Sequence, residues 1–340
     1  MPEPDCRSRS ALCFLTALCL LVPMVVTGQT GPPAAAVRSA APVASVAEVR
    51  TTPWGDPDLQ GLWNHGTITP LQRPADQADR VYLTEEEVAV LNEESETRAD
   101  RREGLTPEQD VALAYNAFWW DRGVSVGRTS LLVDPSDGRL PPLVPAAAER
   151  AESAKALRIR AVRRGIVPAD GPEEMDLGDR CLVYRPVPIT SSGYNNHVQI
   201  AQAPGYVTIL QEQIHELRVI PLDDRPPLPP HVTQWLGVSR GRWDGDTLVV
   251  ETTNFREDAD YLGSNLERRV TERFRLTDDD QLEYQFTVAD PTVWTRPWTG
   301  MVPWRRTEGP MFEYACHEGN YGMVGLLKGS RLADLSAPTP

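Results

Sequence analysis

The sequence predicts a mainly β protein: an antiparallel lipocalin-like barrel with an N-terminal helical region, or, as the alternative, a β-sandwich. Three observations carry that expectation. The C-terminal half alternates apolar and polar residues with the two-residue period of half-buried strands. Its runs are separated by hairpin signals such as Asp244-Gly245. Cys181 and Cys316 stand at the two ends of the series, so a bond between them would join its first and last elements, as in a closed barrel.

Taken in chain order, the first segment explains location. Arg7 and Arg9 precede an apolar run from Ala11 to Val26, the layout of a cleaved secretory signal over residues 1–28. The run is shorter than the roughly 20 apolar residues of a membrane span. A retained anchor is the competing reading, because Glu3 and Asp5 sit in the basic region and the boundary near Thr27 to Gln29 lacks a clean small-residue cleavage site. Residues 29–52 are rich in Ala, Pro and Val and read as a linker.

Residues 53–178 read as an extended arm followed by helices. TPWGDPDLQGLWNHG places Trp54 and Trp63 among turn residues. Thr84 with Glu87 forms a capping box ahead of a charged helix, and Thr106, Pro107 and Gln109 start a second helix that would bury Ala112, Tyr115, Trp119 and Trp120. SLLVDPSDGRLPPL reads as a strand, a turn and an extended exit, and a third helix spans about Ala146 to Arg164.

Residues 179–330 carry the barrel. NHVQIAQAPGYVTILQEQIHELRVIPLD reads as two β runs broken at Pro204-Gly205, GRWDGDTLVVETTNF as a hairpin, RRVTERFRLTDDDQLEYQFTVADP as another, and MFEYACHEG as the closing strand.

Bulk properties narrow the function. The 340 residues are 41% hydrophobic, enough for a substantial core, and the net charge of −14 argues against sequence-independent binding to nucleic acid. Of five cysteines, Cys6, Cys13 and Cys19 fall in the leader. The remaining pair, Cys181 and Cys316, is expected to be a disulfide in an exported protein; two separate buried thiols are the alternative.

PDLQGLW, DPSDGRLPP, APGYVTI, HELRVIPLD, WLGVSRGRWDGDTLVVETTNF, DPTVWTRPWT and YACHEGNYG together resemble a family of secreted bacterial proteins without an assigned activity. The match runs over most of the chain after about Thr51. It implies export, secreted or periplasmic, and a single folded unit, and it brings no catalytic residues.

The residues themselves suggest chemistry in ILQEQIHELRVI. Read as one strand, it places Gln211, Gln213 and His215 on one face and Glu212, Ile214, Glu216 and Arg218 on the other. His215 would be a general acid or base with Glu212 or Glu216, and Arg218 an electrostatic partner paired with Glu216. The plain alternative is a surface strand with a screened salt bridge. In YACHEGNYG, His317 and Glu318 follow a fixed cysteine and would supply the complementary group; the alternative is a special turn.

Metal chemistry lacks local spacing. His65, His197, His215, His231 and His317 form no H-E-x-x-H, so only a cluster assembled by the fold, such as His197, His215 and His317, would bind zinc. GVSRG around Ser239 is no nucleophile elbow, and no G-x-G-x-x-G or P-loop points to a nucleotide cofactor. Trp294 and Trp298, with Arg296 between them and Trp304 following, would either stack on a ligand or plug the barrel.

The combined expectation is an exported enzyme using acid-base chemistry of lyase, isomerase or hydratase type on a small organic substrate in a barrel cavity. It needs no cofactor, nucleic-acid partner or membrane span after signal cleavage. The rival is a non-catalytic binding protein for an apolar or sugar-like ligand.

Overall fold

The strand series begins earlier in the chain than the turn signals suggest. A computed structural model describes residues 50–97, 121, 123–164, 171–184 and 187–336. The leader, most of the linker and the second expected helix, with Ala112, Tyr115, Trp119 and Trp120, lie outside the described residues. Within the arm, β1 (Gly61–Asn64) and β2 (Leu132–Asp134) both enter the sheet, so residues 53–178 are not merely an appendage. The expected capping box opens α1 (Glu85–Thr97): the Thr84 N–H donates to Glu87 Oε2 at 2.8 Å and the Glu87 N–H to Thr84 Oγ1 at 3.3 Å. The third expected helix is α2 (Pro145–Arg164), with proline at its first position, where no N–H is needed.

From residue 197 the chain makes β3 (His197–Ala203), β4 (Tyr206–Gln211), β5 (Leu217–Pro221), β6 (Val238–Asp244), β7 (Thr247–Thr253), β8 (Arg269–Asp278), β9 (Gln281–Ala289) and β10 (Trp298–Thr307). All pairings are antiparallel, in the order β5-β4-β3-β1-β10-β9-β8-β7-β6, with β2 pairing on β10. A two-residue turn at Gly245-Asp246, one residue later than the expected Asp244-Gly245 pair, joins β6 to β7, with Gly245 at φ 62°, a conformation glycine adopts without steric cost.

Two expected boundaries are corrected. MFEYACHEG forms no strand; the last strand is β10, and after an irregular segment the chain ends its described part in α3 (Tyr321–Ser336). The stretch expected as two β runs is three strands, because a 3-10 turn at Gln213–His215 separates β4 from β5.

The concave face of the sheet is a filled core. Val270, Phe274, Tyr284, Phe286, Val302 and Trp63 are buried there. Trp304 packs on Tyr284 and Phe274 at ring separations of 4.8 and 5.6 Å, and Trp298 on Phe286 and Trp294 at 5.9 and 5.5 Å. The sheet curls until its edge strands lie side by side: Arg218 of β5 reaches Ser239 of β6, and a Cβ on Gly241 would stand 2.9 Å from Ile220 Cγ2.

No ladder joins these edges, so the protein is an open curled sheet of the sheet or sandwich class, and the lipocalin-like closure is not made. The physical reason is parity. Nine strands alternating in direction leave the two edges running parallel, and an antiparallel meander closes on itself only with an even number.

The cystine is formed between Cys181 and Cys316, with Cα atoms 5.7 Å apart. Rather than joining first and last strands, it ties two irregular segments, the one leading toward β3 and the one following β10. Among the described residues no helix is long and apolar enough to cross a membrane.

Candidate functional site

The turn between β4 and β5 resets the expected alternation. Ile214 and His215 take φ of 54° and 44°, so Glu212, Gln213, Ile214 and Glu216 are all buried while His215 projects into solvent. Two inward carboxylates within one turn need donors from elsewhere. Glu212 accepts the Phe312 N–H at 2.8 Å and stands 3.1 Å from His197 Nδ1; Glu216 accepts the Tyr184 N–H at 2.7 Å and Gln211 Nε2 at 2.9 Å. The histidine beside Glu212 is therefore His197, and His215 has neither carboxylate as a partner.

That pair is electrostatically coupled. The hydrogen bond with Glu212 outweighs burial and, with the charges of Glu212 and Asp121, raises the His197 imidazole above its ordinary value of 6.5. For Glu212, burial works against the charge, but hydrogen bonds from His197 and the Phe312 N–H hold the carboxyl below 4.5. On its other side His197 Nε2 lies 3.5 Å from Asn64 Nδ2, which donates to Asp121 at 2.8 Å.

Arg218 does not pair with Glu216. Its side chain points into the core and forms a two-pronged ion pair with Glu272 on β8, with Nη1 3.0 Å from Oε1. It also donates to Ser239 Oγ at 3.1 Å and Thr252 Oγ1 at 3.3 Å. The Tyr284 hydroxyl donates to Glu272 at 2.8 Å and accepts the Ile189 N–H at 2.9 Å. Burial foremost, and then the Glu272 charge, push the Tyr284 phenol well above its ordinary value. Arg218 thus ties β5 to β6, β7 and β8 where no backbone ladder does.

Outside this seam lies a groove of about 970 Å3. It is lined by residues of β5 and β6, by Cys181, Leu182 and Val183, and by residues between 225 and 237, part of the segment returning from the end of β5 to the start of β6. That strap is anchored by Asn254, whose Nδ2 donates to the carbonyls of Pro229 at 2.9 Å and Val232 at 3.1 Å, and whose own carbonyl accepts the Gln234 N–H. Gly237 ends it at φ 68°, where a Cβ would meet the Thr253 carbonyl at 2.7 Å.

The groove wall is apolar with cationic groups set into it. Leu217 and Val219 are 54% and 55% exposed there, unusual for adjacent outward positions of a strand that water alone covers. Trp235 also lines the groove, with Arg256 stacked on its ring at 5.1 Å. Arg225 covers Tyr206, and Arg240 projects from β6. His215 also lines the groove.

The other expected residues disperse. His317 and Glu318 are exposed on the segment after the cystine and do not line the groove. Trp294 and Trp298 are buried in the core, while Arg296 makes an exposed ion pair with Asp134 at 2.6 Å. Among the described residues no three His, Cys, Asp or Glu side chains are grouped to hold a metal ion, so His197, His215 and His317 do not assemble. Sequence reasoning missed Trp235, Arg240 and Glu272, and weighed His197 only as a metal ligand. Arg240 carried one signal, an outward position in an alternating strand.

The fold and groove together define a class: an antiparallel β protein whose unclosed seam is roofed by a proline-rich strap. Within that class no closer identity follows, since the sequence matches no family model and no curated protein.

Proposed function

We propose that this is an exported binding protein that holds a small, largely apolar ligand in the strapped groove. The observation that carries the reading is the exposure of Leu217 and Val219 on the wall of a groove that Trp235 also lines. The groove volume lies in the range of roughly 300–1,000 Å3 usual for small-molecule sites. Export is supported by the leader-like N-terminus and by the cystine, which persists in an oxidising compartment outside the cytosol.

The test uses N-phenylnaphthylamine, a neutral apolar dye that fluoresces out of water. Saturable one-to-one binding is expected, lost in Val219→Asp with the melting temperature unchanged. Absence of saturable binding, or binding indifferent to Val219→Asp, would overturn the reading.

A second reading keeps the exported enzyme with acid-base chemistry of lyase, isomerase or hydratase type. One observation favours it: His215 stands on the groove wall with the buried Glu216 beside it in the chain. There His215 would move the proton, while Arg218, buried in its ion pair, would act only by holding the wall. Equal turnover of metabolites from cell extract by wild type and His215→Ala, followed by mass spectrometry, removes this mechanism.

A further inference from the structure

Resting on the groove reading, we infer that the ligand is an organic acid: an aryl or alkyl body against Leu217, Val219 and Trp235, and a carboxylate on Arg240.

Four arginines line the groove, and three of them are matched by carboxylates. Arg218 is neutralised by Glu272, Arg225 by Asp223, and Arg256 by Asp258 at 2.8 Å. Arg240 alone among these four has no carboxylate within 4 Å among the described residues; Asp223, which pairs with Arg225, acts on it only from farther off. Its one hydrogen bond runs from Nη1 to the Ser239 carbonyl at 3.0 Å, and its Nε is buried with no acceptor. A guanidinium presents two parallel donors along its Nε and Nη2 edge, matched to the two oxygens of a carboxylate. In Arg240 that edge has no protein partner.

The surroundings fix the rest of the ligand. Arg240 is on the outer face of β6, and Leu217 and Val219 on the outer face of β5, so head and body sites are laid across the seam rather than along one strand. The other groove charges are engaged within the protein, including Glu216, which is held by Tyr184 and Gln211 inside the wall. With a net charge of −14 the protein does not steer anions toward itself, so selectivity has to come from contact at Arg240.

The experiment compares naphthoate with its neutral isostere naphthamide, binding each to the full mature chain by displacement of N-phenylnaphthylamine. Wild type is expected to prefer the acid by about tenfold or more, the factor that a charge-assisted, two-pronged contact supplies. Arg240→Met should abolish the preference, and a melting temperature and circular dichroism spectrum unchanged from wild type show that the variant is folded. Arg240→Lys should restore part of it. Binding of both compounds without preference for the acid, or a preference that survives Arg240→Met, overturns the carboxylate assignment while the groove reading stands. Failure of the dye itself to bind the groove is the separate failure of the parent reading.

Discussion

Replacing Glu272 with glutamine should unfold this protein more readily than any comparable isosteric change. The substitution keeps the side-chain volume and one acceptor, and removes only the charge opposite Arg218. Those two side chains are 0% and 3% exposed, so the stranded guanidinium has no water to turn to. Breaking a buried pair in this way costs about 3–5 kcal/mol, a large part of the roughly 5–15 kcal/mol by which native domains are stable. In a chain of this size about 2 °C of melting temperature is lost per kcal/mol, giving a fall of about 6–10 °C. The double variant Arg218→Met, Glu272→Leu should return at least half of that loss. Ser239 and Thr252 still bond each other at 2.9 Å, although the Tyr284 hydroxyl loses its acceptor. Calorimetry or urea unfolding reads the stabilities, and hydrogen exchange at β5 and β6 reads the seam directly. A Glu272→Gln variant within about 1 kcal/mol of wild type, or a double variant as unstable as the two single losses added, would refute the view that this pair holds the edges together.

Two further predictions concern the segments around the site. The cystine closes a loop of 135 residues, so Cys181→Ser with Cys316→Ser should lower stability by up to about 5 kcal/mol; unfolded, unreduced mature protein should show no reactive thiol, and two reactive thiols would contradict the bond. The His197–Glu212 pair should give a pH-dependent stability whose sign follows from the two shifts. His197, raised above 6.5, contributes fully below 6.5 and loses its contribution as pH rises through its folded value; Glu212, lowered below 4.5, contributes above 4.5 and loses it as pH falls through its folded value. Stability from the pair is therefore greatest between 4.5 and 6.5, and His197→Gln should flatten the alkaline side of the profile; an unchanged slope in that variant would count against the coupling.

The hairpins were legible because their alternation is unbroken: Val270, Glu272 and Phe274 on β8, and Leu282, Tyr284, Phe286 and Val288 on β9, all point inward. The capping box of α1 was legible because it is local. β10 was hidden by its own residues. Its inward set is Trp298, Gly300, Val302 and Trp304, and Gly300 is needed because the Phe286 ring occupies the space where a Cβ would sit, 2.4 Å away. Pro303 on the opposite face further disguised it as a loop.

The site was harder to read for a different reason. Nothing in QEQIHEL announces left-handed backbone at Ile214, a β-branched residue that rarely adopts it, so the alternation was carried through a turn. The choice of Glu272 over Glu216 as the partner of Arg218 depends on the curl of the sheet, which joins residues 54 positions apart.

The position of the groove follows from strand count. An even meander could have paired its edges and left a smooth wall. Here nine alternating strands bring β5 and β6 together in parallel, so the chain leaving β5 has to travel back the length of a strand before β6 can begin. That return segment, residues 222–237, includes the strap and contains Pro226, Pro227, Pro229 and Pro230, which cannot donate to either open edge. An unpaired seam is a liability that a protein covers, and this cover stands off far enough to leave Leu217, Val219 and Arg240 reachable from solvent. Paired edges would have called for neither Arg218 in the core nor a roof outside, and the two consequences of the odd count, an internal ion pair and an external groove, meet on opposite faces of the same strand.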